Sequence, residues 1–244
     1  MPRSCNVAPL QPDPTPLALP QLRSLLVGPD HRARHPYAHA RELAPGLHEL
    51  VAVVRPRHGL EIPTREEIHH HGLADPEAFV HARLGTCDEP LEFGRAGPLP
   101  GVHAHVLGGP GEASADTSAA VFVLADRLRD VLGPAGLVLS VPCRGMTLFV
   151  APTARGLCRA LTRFGRQRQF WTSDDAATPE VAALPPTRAA LQFLASWTAS
   201  AHIKFPEPVS PALYWYRPDQ PLAVLVDNVH RPHHYPHSFD QLTA

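Results

Sequence analysis

The chain has 244 residues, a formal net charge of −1 at pH 7 and a pI near 7.0, so no overall field attracts nucleic acid or an anionic membrane. Four cysteines without a CxxC motif exclude a dense disulfide scaffold, and no stretch approaches the roughly 20 apolar residues that span a bilayer. The first ten residues lack a basic stretch followed by an apolar run, so we expect a cytoplasmic protein.

The first part of the chain predicts an arm, a helix and a strand. Residues 1–18 are rich in proline, which fixes φ and lacks a backbone donor, so we expect an extended arm. Leu19–Val27 is bounded by Pro20 and Gly28, a pattern that favours a short helix. Leu47–Val54 is an apolar, β-branched run and predicts a strand.

Two short helices are predicted next. Thr64 followed by Glu67 forms a capping-box pattern, in which each side chain satisfies a backbone N–H of the first turn, so a helix should begin there and end near Gly72. Asp75 is predicted to cap a second helix over Pro76–Leu84, because proline suits the first helical turn.

The middle of the chain predicts three strands and a helix. Val102–Leu107 alternates apolar residues with histidine, as a half-exposed strand does. Residues 117–132 carry apolar side chains at helical spacing and precede a Gly-Pro pair that stops a helix. Gly136–Val141 and Met146–Ala151 are apolar runs joined by the tight turn Pro142–Gly145, so we expect strands that are covered on both faces.

The last part predicts two helices and a hairpin. A basic helix is expected from Thr153 to about Phe170, and another over Thr187–Ser200. Ala212–Arg217 and Leu222–Val226 flank a Pro-Asp-Gln turn and read as a β-hairpin. Residues 228–244 are rich in histidine and proline and should form a flexible tail.

The order of these elements predicts the architecture. We expect one α+β domain over residues 19–227, with a single mixed or mostly antiparallel sheet packed by helices. The arm (1–18) and the tail (228–244) flank it.

Three segments carry a resemblance to a known family. They are "LAPGLHELVAVVRPRHGLEIPTREEIHHHGL", "GPAGLVLSVPCRGMTLFVAP" and "PVSPALYWYRPDQPLAVL", in this order over roughly residues 43–226. The chain resembles the YtpQ-like bacterial proteins, a domain of unknown function, so the resemblance implies an architecture and brings no activity. In that family an acidic residue follows the turn arginine, but Gly145 follows Arg144 here.

Histidines are the first candidate site. His103 and His105 are two apart on a predicted strand, so their side chains point to one face, as in many metal sites. His69–His71 end a predicted helix, and four histidines of the tail form H-x-x-H-H-x-x-H. The chain has no H-E-x-x-H motif. Base composition explains solvent-exposed histidines more simply, because arginine, alanine, proline and glycine all indicate a G+C-rich genome. We therefore expect no cofactor beyond adventitious divalent metal, with a metal-dependent hydrolase built on His103 and His105 as an alternative.

Arginines are the second candidate site. Arg155, Arg159, Arg163 and Arg166 are spaced four, four and three residues apart, so on a helix they would form one stripe. With Arg144 this stripe would be a positive face for phosphate, nucleic acid or an acidic protein. A solvated helix face is the more common reason for such spacing.

The remaining features suggest binding rather than catalysis. Cys143, beside Arg144, lacks the neighbouring motif of a nucleophile and is expected to be a buried apolar residue. Tyr214–Tyr216 form an aromatic run that suits either an interface or ordinary sheet packing. No glycine-rich phosphate loop, paired-carboxylate motif or nucleophile elbow is present. We expect a non-catalytic domain of accessory or immunity type that binds another protein; nucleic acid as a partner is disfavoured.

Overall fold

Two β-sheets and the helices that cover them form the architecture. The computed structural model describes residues 21–55, 59–87, 91–99, 102–108, 117–151, 157–161, 163, 165–167, 186–231, 239–240 and 242. Its strands are β1 Leu22–Val27, β2 Ala40–Ala44, β3 Leu47–Arg55, β4 Gly59–Glu61, β5 Leu91–Leu99, β6 Val102–Gly108, β7 Leu137–Cys143, β8 Met146–Val150, β9 Gly165–Gln167, β10 Leu213–Tyr216 and β11 Ala223–Val226. Its helices are α1 Pro29–Arg34, α2 Arg65–His70, α3 Asp75–Thr86, α4 Ala120–Arg127, α5 Arg129–Leu132, α6 Leu157–Leu161 and α7 Pro186–Lys204.

The larger sheet has seven strands in the order β11-β10-β7-β8-β6-β5-β9. All neighbours are antiparallel except β5 and β9, which are parallel. Leu139 and Phe149 pack on one face with residues of α4, whereas Val138 and Leu148 pack on the other face with residues of α7. The prediction that β7 and β8 are covered on both faces is therefore confirmed.

The smaller sheet has β3 in its centre, with β1 and β2 on its two sides and β4 paired to its end. α2 and α3 cover one face through an apolar cluster that includes Leu22, Val51, Ile68 and Phe79. A second cluster joins Leu26 and other residues of this sheet to the larger sheet and α4. The predicted α+β class is confirmed, but the expected single sheet is wrong, because the structure has two.

The second sheet exists because the helix predicted over Leu19–Val27 is wrong. Leu22–Val27 is strand β1, which pairs antiparallel with β3 from Leu22 opposite Val53 to Val27 opposite His48. Ser24–Val27 are four consecutive buried residues, so both faces of this strand are covered, whereas a surface helix would expose part of such a run. Tertiary pairing therefore overrides the local signal, since Pro20 and Gly28 bound a strand as readily as a helix.

Two other predicted elements form, but one differs from the prediction in its bounds and the other in its burial. The helix predicted over 117–132 is divided at Leu128 into α4 and α5, and its first helical residue is Ala120. The strand β6 is buried at Ala104, His105, Val106 and Leu107, so its predicted half-exposure is wrong. The sheet continues on both sides of β6 and is packed on both faces.

The hairpin of β7 and β8 turns at Arg144 and Gly145. Gly145 has φ of +79°, in the left-handed region that residues with a Cβ rarely adopt. Its carbonyl oxygen also lies 2.1 Å from the position that a Cβ on Gly108 would occupy, so two glycines allow the close approach of β6 and this turn. This explains in physical terms why glycine stands at position 145.

The arm predicted for residues 1–18 lies outside the described residues. Within the predicted tail, Val229 and Phe239 are 3% and 1% exposed and pack in the cluster beneath α7. The prediction of a flexible tail is therefore wrong for these two residues, whose side chains are buried. Among the described residues no helix is long and apolar enough to cross a membrane.

A buried carboxylate connects the smaller sheet to the helices. Glu49 of β3 is fully buried and accepts hydrogen bonds from the Ser24 hydroxyl at 2.6 Å and from Arg41 Nε at 2.8 Å. Arg83 of α3 donates to both oxygens, from Nε at 2.6 Å and from a terminal nitrogen at 2.9 Å. Arg83 also stacks over the ring of Phe122 on α4, at 4.4 Å from its centroid. One carboxylate thus joins β1, β2, β3 and α3.

The variant Glu49→Gln tests this connection. The amide cannot neutralise Arg41 and Arg83, and breaking a buried ion pair costs about 3–5 kcal/mol of the free energy of unfolding. Urea denaturation would measure that loss. The control is Arg129→Gln, because Arg129 and Asp219 form an exposed pair and its loss should cost at most about 1 kcal/mol. Equal losses in the two variants would contradict the prediction.

Candidate metal site

Two histidines and an aspartate meet where the smaller sheet joins α2 and α3. His39, His69 and Asp75 each present one ligand atom, and these atoms all lie within 4.8 Å of one another. Among the described residues, this is the one group of three or more His, Cys, Asp or Glu side chains that could hold a metal ion.

Backbone hydrogen bonds fix the position of His39. This residue directly precedes β2, and its carbonyl accepts from the Val51 N–H at 3.0 Å. Its own N–H donates to the Pro63 carbonyl at 3.4 Å, and the neighbouring Ala38 forms a bridge with Thr64. The segment before β2 is therefore bound to both β3 and the start of α2.

Helix capping fixes the position of His69. The predicted capping box is confirmed: the Thr64 hydroxyl accepts from the Glu67 N–H at 3.2 Å, and the Glu67 carboxylate accepts from the Thr64 N–H at 2.7 Å. Fully buried Ile68 anchors the helix to the sheet. His69 lies next to this anchor, in the last turn of α2.

Asp75 has a different role from the one predicted. The N-cap of α3 is Ala74, and Asp75 is the first helical residue, so the prediction that Asp75 caps the helix is wrong. Its Oδ1 lies 2.5 Å from His69 Nε2, and its Oδ2 accepts a hydrogen bond from the Arg65 guanidinium. These contacts hold the pKa of the Asp75 carboxyl below its ordinary value, with His69 as the largest cause. The carboxylate is therefore available as an anionic ligand.

The His39 ring is the least expected part of the cluster. It is 2% exposed and stacks on Phe79 with centroids 4.8 Å apart. Neither of its nitrogens makes a hydrogen bond of regular geometry, and the nearest carboxylate oxygen, Asp75 Oδ1, is 3.7 Å from Nδ1. Burial lowers the pKa of His39, although nearby Asp75 acts in the opposite direction. Asp75 is thus the polar neighbour of this buried ring, but at a distance longer than a regular hydrogen bond. A buried imidazole without a regular hydrogen bond is costly unless another group binds it.

The atoms are close to a metal-binding arrangement. Ligands about 2.0–2.1 Å from a tetrahedral zinc ion lie about 3.3 Å from one another. The distance from His39 to Asp75 is 3.7 Å and needs to shorten slightly, whereas the 2.5 Å distance from His69 to Asp75 must lengthen. His69 and Asp75 are 45% and 39% exposed, so both can move and an ion can enter from solvent.

The histidine pair predicted from sequence does not form this site. His105 is 5% exposed and stacks on Phe149, with ring centroids 5.3 Å apart, inside the larger sheet. The side chain of His103 lies outside the described residues. His105 is thus packed as a core histidine, so the proposed metal role of this pair gains no support.

The predicted arginine stripe does not form either. The basic helix expected from Thr153 to Phe170 is wrong, because α6 ends at Leu161 and Arg166 lies on strand β9. Arg163 is exposed in the turn between them, while Arg155 and the side chains of Arg159 and Arg166 lie outside the described residues. Gly165 favours the break, and pairing of β9 with the edge of β5 supplies hydrogen bonds in place of a helix.

Arg144 belongs to a different part of the surface. Its side chain is 17% exposed and pairs with Glu207 at 3.3 Å, beside α1. Burial and the nearby Arg144 charge both lower the pKa of His31 on that helix. Arg144 therefore has a structural ion pair, and the four other arginines are not arranged with it as one described face.

Cys143 is a buried residue and the aromatic run Tyr214–Tyr216 packs in the sheet, as the non-functional interpretation of each predicted. Cys143 is fully buried at the end of β7. The Tyr214 hydroxyl lies 2.7 Å from Ser210 Oγ, and burial raises the pKa of this tyrosine to about 12. Trp215 Nε1 donates to the Ala135 carbonyl at 2.8 Å, and the Tyr216 hydroxyl donates to Asp126 at 2.6 Å. The run contributes to sheet packing.

Comparison with protein-family models, with characterised proteins and with solved structures gives no match, so the assignment of this site depends on its geometry.

A second histidine pair joins His202, in the last turn of α7, to His230, which follows β11. His230 Nε2 lies 3.4 Å from His202 Nδ1, and the ring centroids are 5.4 Å apart. Burial, followed by the nearby His230, lowers the pKa of His202 below 6.5. This contact needs one ring to accept a hydrogen bond, so it is weakened when both rings carry a proton.

The lowered pKa of His202 predicts acid sensitivity. Below pH 6.5 the unfolded chain binds a proton that the folded chain does not, so the free energy of unfolding should decrease as pH falls through this range. Thermal denaturation from pH 7.5 to 5 would show the decrease, and His202→Gln should reduce its slope. A steeper slope in that variant would contradict the assignment.

Proposed function

We propose that this protein binds a divalent transition metal ion of the zinc class through His39, His69 and Asp75. The main support is His39, whose two nitrogens are buried without a regular hydrogen bond beside two further ligand atoms. Metal coordination would give this imidazole a shorter and stronger contact than the 3.7 Å contact with Asp75.

The ligand set favours zinc-like ions over magnesium or calcium. Two imidazoles and one carboxylate suit zinc, nickel, copper and iron, whereas magnesium and calcium prefer oxygen ligands. Asp75 would give the site a single negative charge from protein, and Phe79 would keep the His39 ring in a fixed orientation. Arg65 competes with the ion for Asp75, so we expect moderate affinity rather than a permanently occupied structural site.

Three protein ligands leave one position of a tetrahedral ion open. Catalytic zinc sites share this arrangement, with water in the fourth position. The hydrolase considered from the sequence is therefore a second candidate, now with His39, His69 and Asp75 as its ligands in place of His103 and His105. Binding of another protein stays a prediction from the sequence alone.

The proposal predicts one specific metal site that depends on His69. Dialysed protein would be titrated with zinc against a chromophoric chelator, and with cobalt(II), whose visible absorption reports its ligands. We expect His69→Ala and Asp75→Ala to lose one equivalent of binding. His70→Ala is the matched control, because His70 is the next residue of the same helix and lies outside the cluster. Weak binding by other histidines would be common to all variants.

Thermal denaturation supplies an independent measurement of the same site. An ion that binds only the folded chain stabilises it by RT ln(1 + [metal]/Kd), which is about 2.7 kcal/mol at 100 times Kd. Zinc should raise Tm of the wild type and of His70→Ala, and His69→Ala should lose this increase. Unchanged zinc affinity in His69→Ala, or equal loss in His70→Ala, would refute the metal site.

A further inference from the structure

We propose that the metal-loaded site binds a phosphate-type dianion between the metal ion and the guanidinium of Arg65. This inference rests on the proposed metal site and names the class of ligand that its open position would take. It depends on the placement of Arg65 relative to the three metal ligands.

Arg65 shares one carboxylate with His69. Its guanidinium bonds Asp75 Oδ2, while His69 contacts Oδ1 of the same side chain. The backbone of Arg65 is fixed, because it begins α2 and its N–H donates to the Tyr37 carbonyl at 2.9 Å. The contact with Asp75 places the guanidinium beside the position where the ion would bind.

The solvent side of the cluster carries the positive group. The side chain of Arg65 is 62% exposed, whereas His39 closes the inner side at 2% exposure. A ligand that enters from solvent would meet the open metal position and the guanidinium together. The acidic neighbour Glu67 is already engaged, since its carboxylate accepts from the Thr64 N–H and hydroxyl at 2.7 Å and 3.0 Å.

Metal binding changes the charge of the site. Without an ion, Asp75 and Arg65 cancel, so the site is neutral and offers no field for an anion. A divalent ion adds two positive charges. Because Asp75 would also coordinate the ion, its ion pair with Arg65 would become weaker. The guanidinium presents several donors in a planar fork that matches phosphate oxygens. A dianion would then bridge the ion and Arg65 and restore neutrality.

The two ligands should therefore bind cooperatively. By thermodynamic linkage the anion must raise the affinity for the metal by the same factor as the metal raises the affinity for the anion. We expect this factor to be about tenfold, within the usual range of such coupling. Metal-free protein should therefore bind the anion at this site about tenfold more weakly than metal-loaded protein.

The test uses methylphosphonate, a stable analogue of a phosphate monoester, added to the cobalt-loaded full-length chain at a pH above its second pKa, so that it is a dianion. Visible absorption would report entry of the anion next to the metal, and calorimetry would measure its affinity. Arg65→Gln should keep the metal, with unchanged or higher metal affinity because a competitor for Asp75 is removed, and should weaken methylphosphonate about tenfold. Arg129→Gln, which removes an exposed arginine paired with Asp219, is the matched control and should behave as the wild type.

The outcomes separate the two proposals. If the wild type fails to bind cobalt or zinc in a His69-dependent way, the proposed function is wrong, and this inference is overturned with it. If the metal binds but methylphosphonate leaves the spectrum unchanged, or binds Arg65→Gln as tightly as the wild type, this inference alone is wrong. Acetate, a monoanion, should bind more weakly than methylphosphonate, and equal affinity would overturn the assignment to dianions.

Discussion

The buried Glu49 carboxylate is the interaction on which the rest of the arrangement depends. It is surrounded by Ser24, Arg41 and Arg83, which come from β1, β2 and α3. The consequence reaches the candidate metal site, because Arg41 lies over the Phe79 ring at 4.2 Å and Phe79 stacks on His39 at 4.8 Å. A continuous set of contacts therefore leads from the carboxylate to the buried imidazole. Loss of that charge would leave Arg41 without its carboxylate partner and weaken its contact with Phe79, whose ring also packs against the apolar cluster of the smaller sheet.

The sequence predicted those elements whose signals are local. The Thr64 and Glu67 capping box depends only on residues three apart, and the hairpin of β7 and β8 depends on two apolar runs around a turn. The strand β1 could not be predicted in this way, because its six residues become a strand only through pairing with β3. The basic helix failed for a related reason: the edge of β5 offers backbone partners to Gly165–Gln167 that no local pattern reveals.

The candidate site could not be predicted from the sequence, because His39 is far along the chain from His69 and Asp75. The sequence places His69 in a run that ends a helix and predicts Asp75 as a helix cap, and no local pattern marks His39. The bridge between Ala38 and Thr64 brings His39 to the start of α2, and it is a contact between segments with no shared periodicity. The one available signal was Asp75 next to Pro76, where a carboxylate in the first turn can face outward and bind another group.

The order of strands in the larger sheet has a consequence for self-association. β11 at one end of the sheet spans four residues, and at the other end the described residues of β9 pair with Leu91–Phe93 of β5. A long unpaired edge strand allows a strand of another molecule to pair with it, which leads to fibrils or to domain-swapped assemblies. The apolar strands β7 and β8 lie inside the sheet, where each is paired on both sides, so these two strands are protected from this route to aggregation.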